Sequence, residues 1–168
     1  LCLVLSKINT HMENFIKIII YIHAFFGGIG LLAGTVLMFS KKGNQLHKQL
    51  GKIFSVGMMV SSILSLFICL FPNHHNSFLF MIGIFTIYMI LIGNRVLNYK
   101  KKSYQNKLDK VISGSMFLTG IVMIGLTFYQ KIVNDSFPIL LLLFGALGLF
   151  MSYKDFKFYA NLENHKKW

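Results

Sequence analysis

Five apolar blocks, at residues 15–39, 53–71, 78–98, 111–130 and 137–152, constrain this 168-residue chain more than any other feature. A surface helix alternates apolar and polar faces. These blocks instead stay apolar over most of their length and interrupt themselves with very few charges. Near twenty such residues, at 1.5 Å of helix rise each, cross the roughly 30 Å of hydrocarbon in a bilayer. The predicted fold is therefore all-α: a transmembrane helical bundle of about five antiparallel spans over residues 12–160. Composition agrees, with 55% hydrophobic and only 13% charged residues, against about a quarter charged in soluble domains. The fifth block is the shortest, and Tyr153–Tyr159 can extend it with aromatic residues suited to the interface.

The connections alternate in charge. Lys41, Lys42, Lys48 and Lys52 lie between the first two blocks; Arg95 stands near the end of the third, and Lys100, Lys101, Lys102, Lys107 and Lys110 lie between it and the fourth. Lys154, Lys157, Lys166 and Lys167 follow the fifth. The opposite side holds only Lys7, Lys17 and Lys131, with Asp135 nearby and the segment Pro72-Asn73-His74-His75-Asn76-Ser77 free of lysine and arginine. The positive-inside rule then predicts the N-terminus outside and the C-terminus inside, as an odd number of spans requires. Short connections predict that consecutive helices are antiparallel neighbours. Pro72 and Pro138 fall near span ends, where a missing backbone donor costs little.

The net charge of +12 raises nucleic-acid binding only to dismiss it. The lysines sit between apolar blocks, where they set orientation and meet anionic headgroups, and they form no groove-reading motif. Cys69 lies inside a block and Cys2 near the start, in no CxxC or metal-ligand spacing. Met12 opens a natural-looking start, so residues 1–11 read as an alternative-start extension, and Leu1–Leu5 is too short an apolar run for a secretory signal. Residues 161–168 read as a cytoplasmic tail cut short at Trp168.

Helices in lipid associate through small and polar side chains, since lipid tails are as apolar as leucine. Each block carries such a stripe at steps of three and four. The first has His23, Gly27, Gly30 and Gly34, including a GxxxG pair, and the second Gly51, Ser55, Met58, Ser62, Ser65 and Cys69. The third has Gly83, Thr86, Ile90 and Gly93, the fourth Ser113, Met116, Gly120, Met123 and Thr127, and the fifth Gly145, Gly148, Ser152 and Asp155. Gly27, Gly30, Gly34, Gly51, Ser55, Ser62 and Ser65 are the predicted packing residues.

His23 is the candidate for chemistry. It shares the glycine face of the first span, and an ionisable group within a bilayer is a functional candidate. Neutral imidazole ligates haem or metal, relays protons, or serves as hydrogen-bonded helix glue. His47, about 25 Å away by helix rise, cannot share one haem iron with it; at the inner edge it suits a lipid phosphate or a cytoplasmic partner. His74 and His75 have no acidic or cysteine co-ligand beside them in the sequence, so no metal site is predicted there. Arg95, the only arginine, suits headgroups or a pair with Asp155, which also stands next to Lys154 and Lys157. No Ser/His/Asp, paired-carboxylate or phosphate-loop pattern occurs.

A series of residues carries a resemblance. It comprises His23-x3-Gly27, Gly34, then Lys42-Gly43-x3-His47-Lys48-x2-Gly51-Lys52-Ile53-Phe54. Phe85-Thr86-Ile87-Tyr88, Gly93-Asn94-Arg95, Gly145-Ala146-Leu147-Gly148 and Asp155 complete it. With these the chain resembles a family of uncharacterised bacterial multi-pass membrane proteins, described as predicted membrane proteins or a domain of unknown function. Members continue past a tryptophan like Trp168 into a W-x3-H-x3-M segment and a further helix. The resemblance thus implies membrane location, at least one more span and another histidine, and no particular activity.

Three functions are compatible with these residues. The first is a non-enzymatic accessory or small-molecule-handling membrane protein, with the lipid bilayer and a membrane-protein partner or second copy as its partners. The second is a haem- or redox-associated membrane protein using His23. The third is a small permease, ranked last because the blocks up to residue 152 offer no Asp or Glu for ion coupling. The lysine-for-arginine bias and abundant Ile, Asn and Phe point to an AT-rich bacterial genome and hence to the cytoplasmic membrane.

Overall fold

The computed structural model describes residues 2–71, 74, 76–97, 107–134 and 138–161, with side chains from residue 12 onward. The described residues form five α-helices and no strand: α1 (Cys2–Phe39), α2 (Gln45–Ile68), α3 (Ser77–Val96), α4 (Lys107–Asn134) and α5 (Ile139–Ala160). Each is long and apolar enough to cross a membrane. Pro72, His75, Lys100, Lys101, Lys102, Asp135 and residues 162–168 lie outside the described residues, so nothing structural attaches to the readings made of them.

The helix ends follow local chemistry. Gly43 has φ +86°, a left-handed conformation that side chains other than glycine rarely adopt, and it turns the chain between α1 and α2. Asn44 then caps α2, its side chain accepting from the Gln45 amide. Asn76 does the same for α3, its Oδ1 accepting from the Phe78 and Leu79 amides at 3.0 and 3.1 Å. Pro138 opens α5, and its carbonyl accepts from the Leu141 and Leu142 amides.

Four helices run well past their apolar blocks, α1 beginning thirteen residues before the block at 15. α2 begins eight residues before the block at 53, α4 four before 111, and α5 ends eight after 152. Hydropathy marks only the part of a helix that lies in hydrocarbon. The backbone hydrogen bonds continue into the interface wherever no breaker intervenes.

The contacts gather into two compact units, Leu1–Gly83 and Ile84–Trp168. In the first, later residues of α1 meet earlier residues of α2. A methyl group placed on Gly27 would meet Ser61 Oγ, one on Gly30 would meet Met58, and one on Gly34 would meet the Phe54 ring, each at 2.9 Å. Near Phe39, Ser40 bonds to His47. From the α2 side, Gly57 lies directly against the α1 backbone at Phe26 O and Gly30. Gly83, in the first turns of α3, lies against Leu66 and Ser62 of α2.

The face that α2 turns to α1 is therefore Phe54, Gly57, Met58 and Ser61, and only Met58 of these belongs to the predicted α2 stripe. Nothing lies within 4 Å of a methyl placed on Gly51. Ser62 is buried, and Ser55 and Ser65 are half-buried. One residue on a helix is a turn of about 100°, so two stripes offset by a position or two look equally good in sequence and point in different directions.

In the second unit, Gly120 and Gly145 bring α4 and α5 together. A methyl on either would lie 3.0–3.2 Å from the other's carbonyl oxygen. Tyr88, Ile92 and Met116 form a buried cluster with Phe85, Val96, Ile112 and Met151 around it. Phe85 and Phe144 meet edge to face, with ring centres 5.4 Å apart.

The burial pattern is inverted relative to a water-soluble protein. Asp109, Ser113, Thr127 and Ser152 are completely buried, while Leu32, Met38, Phe39 and Ile132 are 71–86% exposed. Large apolar surface of this extent is unfavourable in water and neutral in hydrocarbon. Thr127 and Ser152 donate to the carbonyls of Met123 and Gly148 one turn back, which satisfies their hydroxyls within the helix.

Candidate functional site

The polar groups that matter lie in a cluster within the second unit. Tyr88 and Arg95 stand seven residues apart on α3 and therefore on one face. Asp109 and Ser113 are four apart on α4, and Asp155 and Tyr159 four apart on α5. The packing brings these three pairs together.

Arg95 Nε bonds to Asp109 Oδ1, with the carboxylate side chain 1% exposed and the arginine 31%. The hydroxyls of Tyr88 and Ser113 both donate to Asp155 Oδ2, at 2.7 and 2.8 Å. Ser113 has then used its one proton, so the 3.3 Å contact with Tyr159 is a bond in which Tyr159 donates. Asp155 is half-buried, while Tyr88, Ser113 and Tyr159 are buried. Charge-assisted hydrogen bonds of this kind are stronger than neutral ones, and a desolvated site strengthens them further.

This geometry corrects one sequence reading. Arg95 pairs with Asp109, whereas the sequence suggests Asp155 as its partner. Asp155 instead takes its hydrogen bonds from two hydroxyls. Asp109 lies in α4 and Asp155 in α5, each on a stretch of helix beyond the apolar block. Asp109 was overlooked because it precedes the apolar block among lysines. The i, i+4 pair Asp109–Ser113, matched by Asp155–Tyr159, is the signal that would have found it.

The second group of polar residues belongs to the first unit. His23 Nδ1 lies 2.8 Å from the Ser61 carbonyl oxygen and 3.0 Å from Ser61 Oγ. A carbonyl can only accept, so Nδ1 carries the proton and Nε2 is the unprotonated nitrogen of the neutral ring. Ser61 Oγ donates back to the His23 carbonyl at 3.2 Å. The same logic applies at the other end of α1. Ser40 Oγ donates to the Leu37 carbonyl, so His47 Nδ1 donates to Ser40 Oγ at 2.9 Å. His74 Nε2 lies 3.7 Å from Glu13, beyond hydrogen-bonding distance.

Among the described residues, no three His, Cys, Asp or Glu side chains gather closely enough to hold a metal ion. Cys69 is a buried free thiol.

No family model, curated protein or solved structure matches the chain significantly.

Proposed function

We propose that this is a non-enzymatic multi-pass membrane protein of the bacterial cytoplasmic membrane, an accessory or small-molecule-handling factor. In this reading residues 12–160 form one antiparallel five-span domain, with the N-terminus outside and the C-terminus inside. The uncharacterised membrane-protein family that the chain resembles is its proposed kin. The single observation that carries the membrane assignment is the inverted burial, with carboxylate and hydroxyl groups inside and leucine and phenylalanine outside. The lysine distribution supports the orientation.

The small-molecule role draws on the Arg95–Asp109 and Tyr88–Asp155–Ser113 cluster. Ionisable groups within a bilayer are costly and mark functional sites by default. Their mutual hydrogen bonding fixes these side chains on α3, α4 and α5 relative to one another, which supports a positioned polar site. The proposed partners are the lipid bilayer and a membrane-protein partner or second copy of the chain.

Cysteine labelling tests the arrangement. In a variant lacking Cys2 and Cys69, a cysteine at Gln45 is expected to be shielded from an impermeant reagent in intact cells. A cysteine at Ser77 is expected to react. Labelling of both from one side overturns the topology, and release of the chain by alkaline carbonate overturns the membrane reading.

A second reading, with haem on His23, is favoured by one detail. Nδ1 is tied to a carbonyl and Nε2 is left with its lone pair, the arrangement usual for a ligating histidine. It predicts a Soret band in the purified protein that His23→Ala abolishes. A colourless preparation with unchanged helicity in the His23→Ala variant leaves His23 as a packing residue.

A further inference from the structure

The α1–α2 connection carries a charge pattern that the packing of the first unit leaves uncompensated. Lys41 and Lys42 follow Phe39 at the end of α1, and Lys48 and Lys52 lie one turn apart on α2. All four are exposed. Lysines four apart on a helix repel one another. The sequence from residue 14 to residue 108 contains no aspartate or glutamate. The nearest carboxylate in the first unit is Glu13 on α1, about 40 Å of helix rise from Lys41. No carboxylate within the unit can balance this patch, and its counter-charge must come from outside.

The neighbouring side chains narrow what that outside partner is. Met38 and Phe39 are 83% and 86% exposed, and Leu46 and Ile53 are also exposed, seven residues apart and so on one face of α2. Long apolar side chains interleaved with lysines suit the boundary between acyl chains and headgroups, where lysine stems lie along hydrocarbon and the ammonium reaches outward. An acidic soluble protein or a nucleic acid would satisfy the lysines and leave Phe39, Leu46 and Ile53 in water. His47 sits among them, its Nδ1 tied to Ser40.

We propose that the α1–α2 connection is a docking surface for anionic phospholipid, in which Lys41, Lys42, Lys48 and Lys52 hold headgroup phosphates and the exposed apolar residues hold the acyl chains. This goes further than the membrane assignment, on which it rests, because it predicts selection among lipids. A basic cluster beside a span gains about 1 kcal/mol per lysine from an anionic surface, which corresponds to roughly fivefold in retention for each lysine.

The test uses the full chain in detergent, mixed with equal amounts of phosphatidylglycerol and phosphatidylcholine, with bound lipid counted by native mass spectrometry. Phosphatidylglycerol is expected to be strongly preferred. Each Lys→Gln change among the four is expected to lower that preference roughly fivefold, and the quadruple variant to lose most of it. Lys17→Gln, about 33 Å of helix rise before Phe39 on α1, is expected to leave it unchanged. Inorganic phosphate in excess is expected to leave the lipid bound, and its displacement would assign the site to free phosphate.

Equal retention of the two lipids by the unmodified chain overturns the proposal. So does a quadruple variant that keeps its helicity and its full preference. A chain that fails to enter bilayers overturns the membrane reading itself, whereas one that inserts and shows no lipid preference overturns only the lipid site.

Discussion

Arg95→Ala is expected to destabilise the folded protein by about 3 kcal/mol, measured as reversible unfolding in detergent followed by circular dichroism. The substitution takes the Arg95 cation away from the Asp109 carboxylate, whose side chain is 1% exposed. Removing one partner from a buried pair costs about 3–5 kcal/mol. The lower end applies because the arginine side chain is 31% exposed and already partly solvated.

Asp109→Ala should cost clearly less, since the stranded group is then the more exposed arginine. The double replacement Arg95→Met with Asp109→Leu should recover most of the loss, because the unpaired charge disappears along with its partner. An Arg95→Ala protein within about 1 kcal/mol of the original, at the level of an exposed ion pair, would show that the pair contributes little and that Asp109 finds solvent or another donor.

Gly57→Val is expected to cost a similar amount, about 3 kcal/mol, at the upper end of the range for overpacking. A methyl on Gly57 would lie 2.9 Å from Phe26 O, 3.2 Å from Gly30 N and 3.3 Å from Gly30 Cα. All three are backbone atoms, so no rotamer change relieves the clash and α1 and α2 must separate along their crossing. Gly28→Val is the matched control. It adds the same side chain to the neighbouring helix at a position with nothing within 4 Å, so it should stabilise by only the few tenths of a kcal/mol that separate valine and glycine in helix propensity. Equal effects of the two substitutions would mean that close α1–α2 approach at Gly57 does not hold the first unit together.

The helices were legible because hydrocarbon imposes a strong rule. A backbone inside it must satisfy its own hydrogen bonds, so long apolar blocks become helices whatever their detailed sequence. The stripes on the fourth and fifth blocks were legible for a related reason. The buried residues of α4 are Ser113, Met116, Gly120, Met123 and Thr127, joined by Asp109 one turn earlier, and Gly145, Gly148 and Ser152 are buried on α5. Small residues at steps of three and four leave room for a neighbouring backbone on one side only.

The polar cluster was less legible. Arg95, Asp109 and Asp155 all stand among lysines near helix ends, where ordinary interfacial anchors also stand. Which carboxylate meets the arginine depends on the packing of α3, α4 and α5, and residue type does not encode it. On α2 the question was one of rotation. Gly51-Ser55-Ser62 and Gly57-Ser61 are both small-residue series, offset by a fraction of a turn, and only contact with α1 distinguishes them.

The sequence by itself therefore determined the secondary structure and the apolar stretch of each helix, because these depend on the transfer of each segment into hydrocarbon; the helices run up to thirteen residues beyond those stretches. Tertiary structure alone decided that Asp109 receives Arg95, that Asp155 gathers Tyr88 and Ser113, and that Gly57 and Ser61 meet α1. Such pairings join residues on different helices, and their energies exist only once the helices have chosen a rotation and a neighbour.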